Sequence, residues 1–174
     1  MTITSPPVPV GFLRLGEDDL PRINELANLP EIAEHFETIP PVTMEATRTL
    51  WSYVLGASPR SGGIHLGGRI VGVAGFYGQP AGTRVSHSAT FFLYVEPACW
   101  GRGIGSEEIR FLEDEARARG YRRLECMVAG TNPRAERLYR RLGYEREGVK
   151  RQAFAIDDRF EDLILMGKVF SSQA

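Results

Sequence analysis

Cysteine and histidine are scarce in this chain of 174 residues: Cys99 and Cys126 are the only thiols, and His35, His65 and His87 the only imidazoles. Two distant thiols make no disulfide framework, and neither residue type falls at the short spacings that bind zinc, so a reduced, cytoplasmic protein without a structural metal is expected. Charge of one sign is missing as well. The 21 Lys and Arg stand against 22 Asp and Glu, a formal net charge of −1, which leaves no overall basic field for nucleic acid. No apolar run approaches the roughly 18 residues of a membrane helix. The segment Met1-Thr2-Ile3-Thr4-Ser5-Pro6-Pro7 lacks the charged and apolar regions of a secretion signal and reads as an extended lead-in. The length fits a single domain over 1–174, with a lead-in at 1–9 and a tail at 171–174.

Glycine, by contrast, is plentiful, and its most informative placement is the stretch Leu93-Tyr94-Val95-Glu96-Pro97-Ala98-Cys99-Trp100-Gly101-Arg102-Gly103-Ile104-Gly105-Ser106. An apolar strand here runs through a Gly-rich turn into a helix. Backbone N–H groups can approach an anion there without a Cβ in the way, and the unpaired first-turn amides favour negative charge, so a phosphate-bearing ligand is expected. A plain helix start after a loop is the alternative. Two other phosphate loops fail on required residues: Ser106-Glu107-Glu108 stands where a Walker loop needs its Lys and Ser or Thr, and Ser106 occupies the third glycine position of a dinucleotide fingerprint.

Periodicity supplies the frame. A strand is expected over 11–15, then a helix opened by Glu17-Asp18-Asp19-Leu20-Pro21, a second after Pro30 with Ile32, Ala33 and Phe36 on one side, and a third from Thr43 with Leu50, Trp51, Val54 and Leu55 inward. The period then changes to two, with a hairpin turning at Gly67-Gly68 and a strand from Ser88 to Val95. Ile104, Ile109, Leu112 and Ala116 line the core face of the helix after the Gly-rich loop, which stops at Gly120. Tyr121 to Val128 reads as a strand with Leu124, Cys126 and Val128 on one face and Glu125 and Met127 on the other. Asn132-Pro133 opens a helix closed by Gly143, and a hairpin from Tyr144 to Val169 ends the chain. The order βααα, βββ, α, β, α, ββ describes an α/β (α+β) fold with a mixed sheet of about seven strands flanked by helices.

This order resembles the GNAT superfamily of acetyl-CoA-dependent N-acetyltransferases. Gly103-Ile104-Gly105 supplies the second half of that family's first signature, with Trp100 where Gln or Arg is usual. Asn132-Pro133-Arg134-Ala135-Glu136-Arg137-Leu138-Tyr139-Arg140-Arg141-Leu142-Gly143-Tyr144 matches its second signature, Asn-x-x-Ala-x-x-Leu-Tyr-x-x-x-Gly-Phe/Tyr. The resemblance implies that two parallel strands, Ser88 to Val95 and Tyr121 to Val128, splay to admit acetyl-CoA as co-substrate. Leu93, Tyr94 and Val95 would hold the thioester arm, Gly101, Arg102, Gly103, Ile104, Gly105 and Ser106 would wrap the pyrophosphate, and Asn132 would touch the cofactor near the same cleft. Tyr139 would contact the cofactor and protonate, or hydrogen-bond, the departing thiolate. Read alone, Asn132 is a helix N-cap and Tyr139 a core aromatic.

Many relatives carry a base on the strand before the loop, where this chain has Phe91 and Phe92. Glu125 is then the best carboxylate, with Glu34, His35 and His87 behind it. The resemblance implies direct transfer to a primary amine, that of an amino acid or small metabolite, with Arg151 or Arg84 to meet a carboxylate. A peptide N-terminus, as in acetylation of ribosomal proteins, and a non-catalytic acetyl-CoA sensor are the alternatives. Arg134, Arg137, Arg140 and Arg141 read as a solvated helix face rather than a nucleic-acid site. Homodimerisation through the terminal strands fits such folds.

Overall fold

The computed structural model describes residues 11–57 and 62–170, with the backbone alone for 53–57. The expected lead-in and tail, and the inward side chains of Val54 and Leu55, lie outside the described residues. Strands β1 (Gly11–Arg14), β2 (Gly62–Leu66), β3 (Arg69–Gly78), β4 (Ser88–Val95), β5 (Arg123–Ala129), β6 (Glu145–Ile156) and β7 (Arg159–Val169) form one sheet in the order β1-β2-β3-β4-β5-β7-β6. Every neighbouring pair is antiparallel except β4 and β5. These two run parallel because α4 (Ile104–Ala118) crosses between them, as a parallel pair requires.

Helices α1 (Leu20–Ala27), α2 (Pro30–Ala33) and α3 (Met44–Ala57) precede β2, and α5 (Pro133–Arg141) follows β5. The main core joins the inner faces of α4 and α5 to the sheet. Ile109 and Leu112 of α4 are fully enclosed with Leu124, Val71 and Met166 from the strands, each such side chain contributing roughly 1.5–3 kcal/mol by leaving water. A second core packs Leu20, Ile23, Leu26 and Trp51 against Ile70 and Val73 of β3. The sheet is thus covered by α4 and α5 through one cluster and by α1 and α3 through the other. The β2–β3 hairpin turns at Gly67 and Gly68 with φ of +57° and +79°, the conformation that the tight hairpin turn demands and glycine meets without strain.

Three sequence readings change. Leu50 is 48% exposed rather than inward: α3 turns Trp51 and Thr47 into the protein instead, and Thr47 tolerates burial because the Asn24 amide donates to its hydroxyl at 2.9 Å. The helix after Pro30 is a single turn, four residues long. β5 begins at Arg123 rather than Tyr121, whose ring packs edge-on against Phe76 at 5.8 Å.

Where β4 leaves the sheet, Glu96 anchors it. The Arg22 guanidinium donates to the Ile70 carbonyl and to Glu96, each at 3.0 Å, and Arg69 closes on the second Glu96 oxygen at 2.5 Å. Burial alone would raise the Glu96 carboxyl, but the two arginines hold it below its ordinary value. This clamp ties α1 and β3 to the start of the Gly-rich loop and fixes the direction in which that loop departs.

Candidate functional site

β4 and β5 are bonded only through Ser88↔Arg123, Ala89↔Leu124 and Thr90↔Glu125. Beyond Thr90 they part. β4 stays paired with β3 as far as Gly72↔Val95, and β5 with β7 as far as Ala129↔Leu163. Each strand therefore turns one edge of backbone N–H and C=O groups into a widening gap, and an unpaired strand edge is a template for an extended ligand.

One side of the gap opens into a cleft of about 520 Å³, lined by Leu93, Tyr94 and Val95 of β4, by Gly101, Gly103, Ile104, Gly105 and Ser106 at the start of α4, and by Asn132 and Tyr139. Gly101 and Gly103, both at the edge of this cleft, have φ of +78° and +84°, the left-handed conformation that glycine adopts without strain. Gly105 has a different reason to be glycine, since a Cβ there would stand 3.2 Å from Leu138 and 3.6 Å from Leu93, between α4 and α5. Of the residues expected on the cofactor, Arg102 alone stays outside the cleft, exposed to solvent on the far side of the turn.

Trp100 and Arg134 hold the mouth. The Trp100 indole N–H donates to the Val95 carbonyl at 2.6 Å, and the Arg134 guanidinium lies 3.8 Å over the indole ring. Arg134 has no carboxylate partner among the described residues, and burial pulls its pKa below the ordinary value. A stacked, uncompensated guanidinium beside the Gly-rich loop is suited to an anionic group. Sequence reading assigned Arg134 to a solvated face and missed this. The available signal was its place in the first turn of α5, next to Asn132. Arg141 also lines the cleft, whereas Arg140 pairs with Glu136 at 2.7 Å on the outer surface.

On the other side of the gap is a cavity of about 700 Å³ between the sheet and α1 to α3. Tyr139, Asn132, Tyr94 and His35 line both spaces, so the two meet at these residues. The Asn132 side chain accepts from the Ala135 N–H at 3.0 Å and caps α5, which orients the helix so that Tyr139 points into the junction. The Tyr139 ring is held edge-on by Phe91 at 5.3 Å and packs at a tilt against Tyr144 at 6.0 Å. Burial, and then the neighbouring Cys126, raise its pKa well above that of an ordinary phenol, so the hydroxyl keeps its proton at neutral pH. His35, just past α2, is half-buried with Nε2 3.5 Å from the Glu34 carboxylate.

Glu125 is not brought to this junction. It does face away from Leu124, Cys126 and Val128, as alternation requires, but its carboxylate accepts from Arg123 at 3.1 Å and borders neither space. Arg123 also grips Glu147 of β6, at 2.6 Å through one nitrogen. His87 is exposed, and Arg84 and Arg151 are exposed and border neither space.

A model described as the Acetyltransferase (GNAT) family matches residues 20–144. The chain belongs to this family. YwnH of Bacillus subtilis (strain 168), which carries the provisional name phosphinothricin acetyltransferase, is 28% identical over 96 residues, 55% of this chain and 57% of that protein. The chain thus matches a little over half the length of that curated relative. Among solved structures, a phosphinothricin acetyltransferase of the GNAT superfamily from Sinorhizobium meliloti in complex with acetyl-CoA superposes with a TM-score of 0.80 at 20% identity, over 93% of this chain and 89% of that one. The spermidine N-acetyltransferase of Vibrio cholerae in complex with CoA and spermine gives 0.79 at 21% identity, over 92% and 95%. At these identities the likeness is one of fold. It extends to the mixed seven-stranded sheet with flanking helices. Among the described residues no helix is long and apolar enough to cross a membrane, and no cluster of metal-binding side chains occurs.

Proposed function

We propose that this protein is an N-acetyltransferase that moves an acetyl group from acetyl-CoA directly to a small primary amine, using one domain over 1–174. The observation that carries the reading is the meeting of two cavities at Tyr139, one bordered by an open strand edge and a Gly-rich helix start, the other by apolar side chains. The cleft fits acetyl-CoA on its own chemistry: the strand edge at Leu93 and Tyr94 for the pantetheine amides, glycine amides and the Arg134 guanidinium for the phosphates. Bound there, acetyl-CoA supplies an activated thioester whose C–S bond breaks as a C–N bond to the amine forms.

The residues do the rest. The Tyr139 hydroxyl donates a hydrogen bond to the sulfur as negative charge develops on it. With its pKa raised above that of a thiol, its part in the transition state is donation to the thiolate rather than a completed proton transfer; the proton that finally rests on CoA comes from solvent. Among the described residues bordering both cavities, His35 is the side chain whose imidazole nitrogen takes the proton of the incoming ammonium group, with the Glu34 carboxylate 3.5 Å from its Nε2. Glu125, neutralised by Arg123, has no such part in this reading.

The test is steady-state release of CoA thiol in the presence of amines, with the N-acetyl product identified by mass, for the wild type and for His35→Gln. The wild type is expected to turn over only when an amine is present. The variant is expected to keep its acetyl-CoA affinity, lose about 10²–10³ in kcat/KM at neutral pH, and recover as pH rises and free amine accumulates. Equal pH profiles for the two proteins would remove His35 from the reaction. Acetyl-CoA binding without release for any amine would favour the sensor.

A further inference from the structure

Resting on the acetyltransferase reading, we infer that the acceptor is a primary amine with an uncharged, aromatic or bulky apolar tail, and that amino acids bearing a free carboxylate are poor acceptors. The 700 Å³ cavity is walled by rings and aliphatic side chains, with Trp51, Phe92, Phe154, Leu163, Val73 and Leu50 on its sides. Among the described residues that line it there is no lysine and no arginine. Its one carboxylate, Glu37, is exposed and stands at the rim.

The charges decide the class. An α-amino acid would bring its carboxylate within two bonds of the reacting nitrogen, beside His35, Asn132 and Tyr139 and with no lysine or arginine among the described lining residues to meet it, where an unpaired anion is costly. The arginines that sequence reading offered as partners, Arg84 and Arg151, lie on the surface away from this wall. A polyamine would place a second ammonium group in the same surroundings with only Glu37 to meet it. An arylalkylamine brings one charge, which is neutralised by deprotonation at the junction with His35 and Tyr139, and a ring that the walls can enclose. Glu37 at the rim attracts the ammonium form without following it inward.

Matched pairs isolate the carboxylate: 2-phenylethylamine against L-phenylalanine, and tryptamine against L-tryptophan, with spermidine and short free N-terminal peptides alongside. In each, kcat/KM is measured from CoA-thiol release and the acetylated product confirmed by mass. Each amine is expected to exceed its amino acid by about 100-fold, the penalty for an unpaired buried anion. Leu50→Arg adds a cation at a half-exposed position of the wall that the fold tolerates, and is expected to raise L-phenylalanine turnover about tenfold relative to 2-phenylethylamine. Equal rates within each pair, or fastest transfer to the amino acids, to spermidine or to a peptide, would overturn the tail assignment while leaving acetyl transfer standing. No transfer to any acceptor despite acetyl-CoA binding would overturn both.

Discussion

Tyr139→Phe lowers kcat by about 100-fold and leaves acetyl-CoA affinity within about twofold of the wild type. The variant keeps the ring, which is what Phe91 meets edge-on at 5.3 Å and Tyr144 at a tilt at 6.0 Å, so α5 stays in place and the protein folds as before. Only the hydroxyl is lost. Its partner in the reaction, the sulfur, carries appreciable negative charge only as the C–S bond breaks, so the loss falls on kcat rather than on binding. Burial keeps the phenol protonated across the usable pH range, and the wild-type rate is therefore expected to show no loss at high pH from Tyr139. An unchanged kcat for the variant would remove the residue from the chemistry. A large rise in KM for acetyl-CoA with kcat intact would make Tyr139 a binding residue only.

Gly103→Val is expected to weaken acetyl-CoA binding by about 100-fold, measured by calorimetry. Two effects combine. At φ of +84° a β-branched residue is strained, which costs on the order of 1–3 kcal/mol and shifts the loop. The bulk also stands on a residue that lines the cleft, where the backbone must approach a phosphate closely. Gly82→Val separates the two. Gly82 has φ of +78°, open space around it and a place in the exposed β3–β4 connection, away from both cavities. It is expected to lower stability by a similar amount while leaving acetyl-CoA affinity unchanged. Equal affinity for wild type and Gly103→Val would place the phosphates elsewhere.

Much of the fold was legible because its signals are local. The α4 face of Ile104, Ile109, Leu112 and Ala116 is buried as its spacing demands, Asn132 caps α5, and Gly120 and Gly143 end their helices with positive φ. The chain order then required a crossover between β4 and β5, and hence a parallel pair. What escaped sequence reading depends on partners distant in the chain. Alternation put Glu125 on the correct face, but nothing local says that Arg123 occupies its carboxylate and that Glu147 of β6 holds Arg123 in turn. Arg134 sits in a row of arginines that looks solvated, and only the approach of Trp100 from the Gly-rich loop turns it toward the cleft. Leu50 was read as core because apolar, whereas Thr47 took that place through the Asn24 amide from α1.

The same logic explains Trp100. Position 100 stands at the Gly-rich loop beside the first turn of α5. Here the indole binds the Val95 carbonyl and seats Arg134 on its face, so the cation comes from α5.

If donor and acceptor occupy two cavities that join at Tyr139, one bisubstrate compound must fill both. CoA whose sulfur is linked through an acetyl spacer to 2-phenylethylamine fills both spaces at once, and its affinity is compared with those of acetyl-CoA and the free amine. Because linking removes the cost of assembling two ligands, the compound is expected to bind at least about 100-fold more tightly than acetyl-CoA, competitively against both substrates. Affinity no better than that of acetyl-CoA, with the amine still able to bind alongside, would contradict the account.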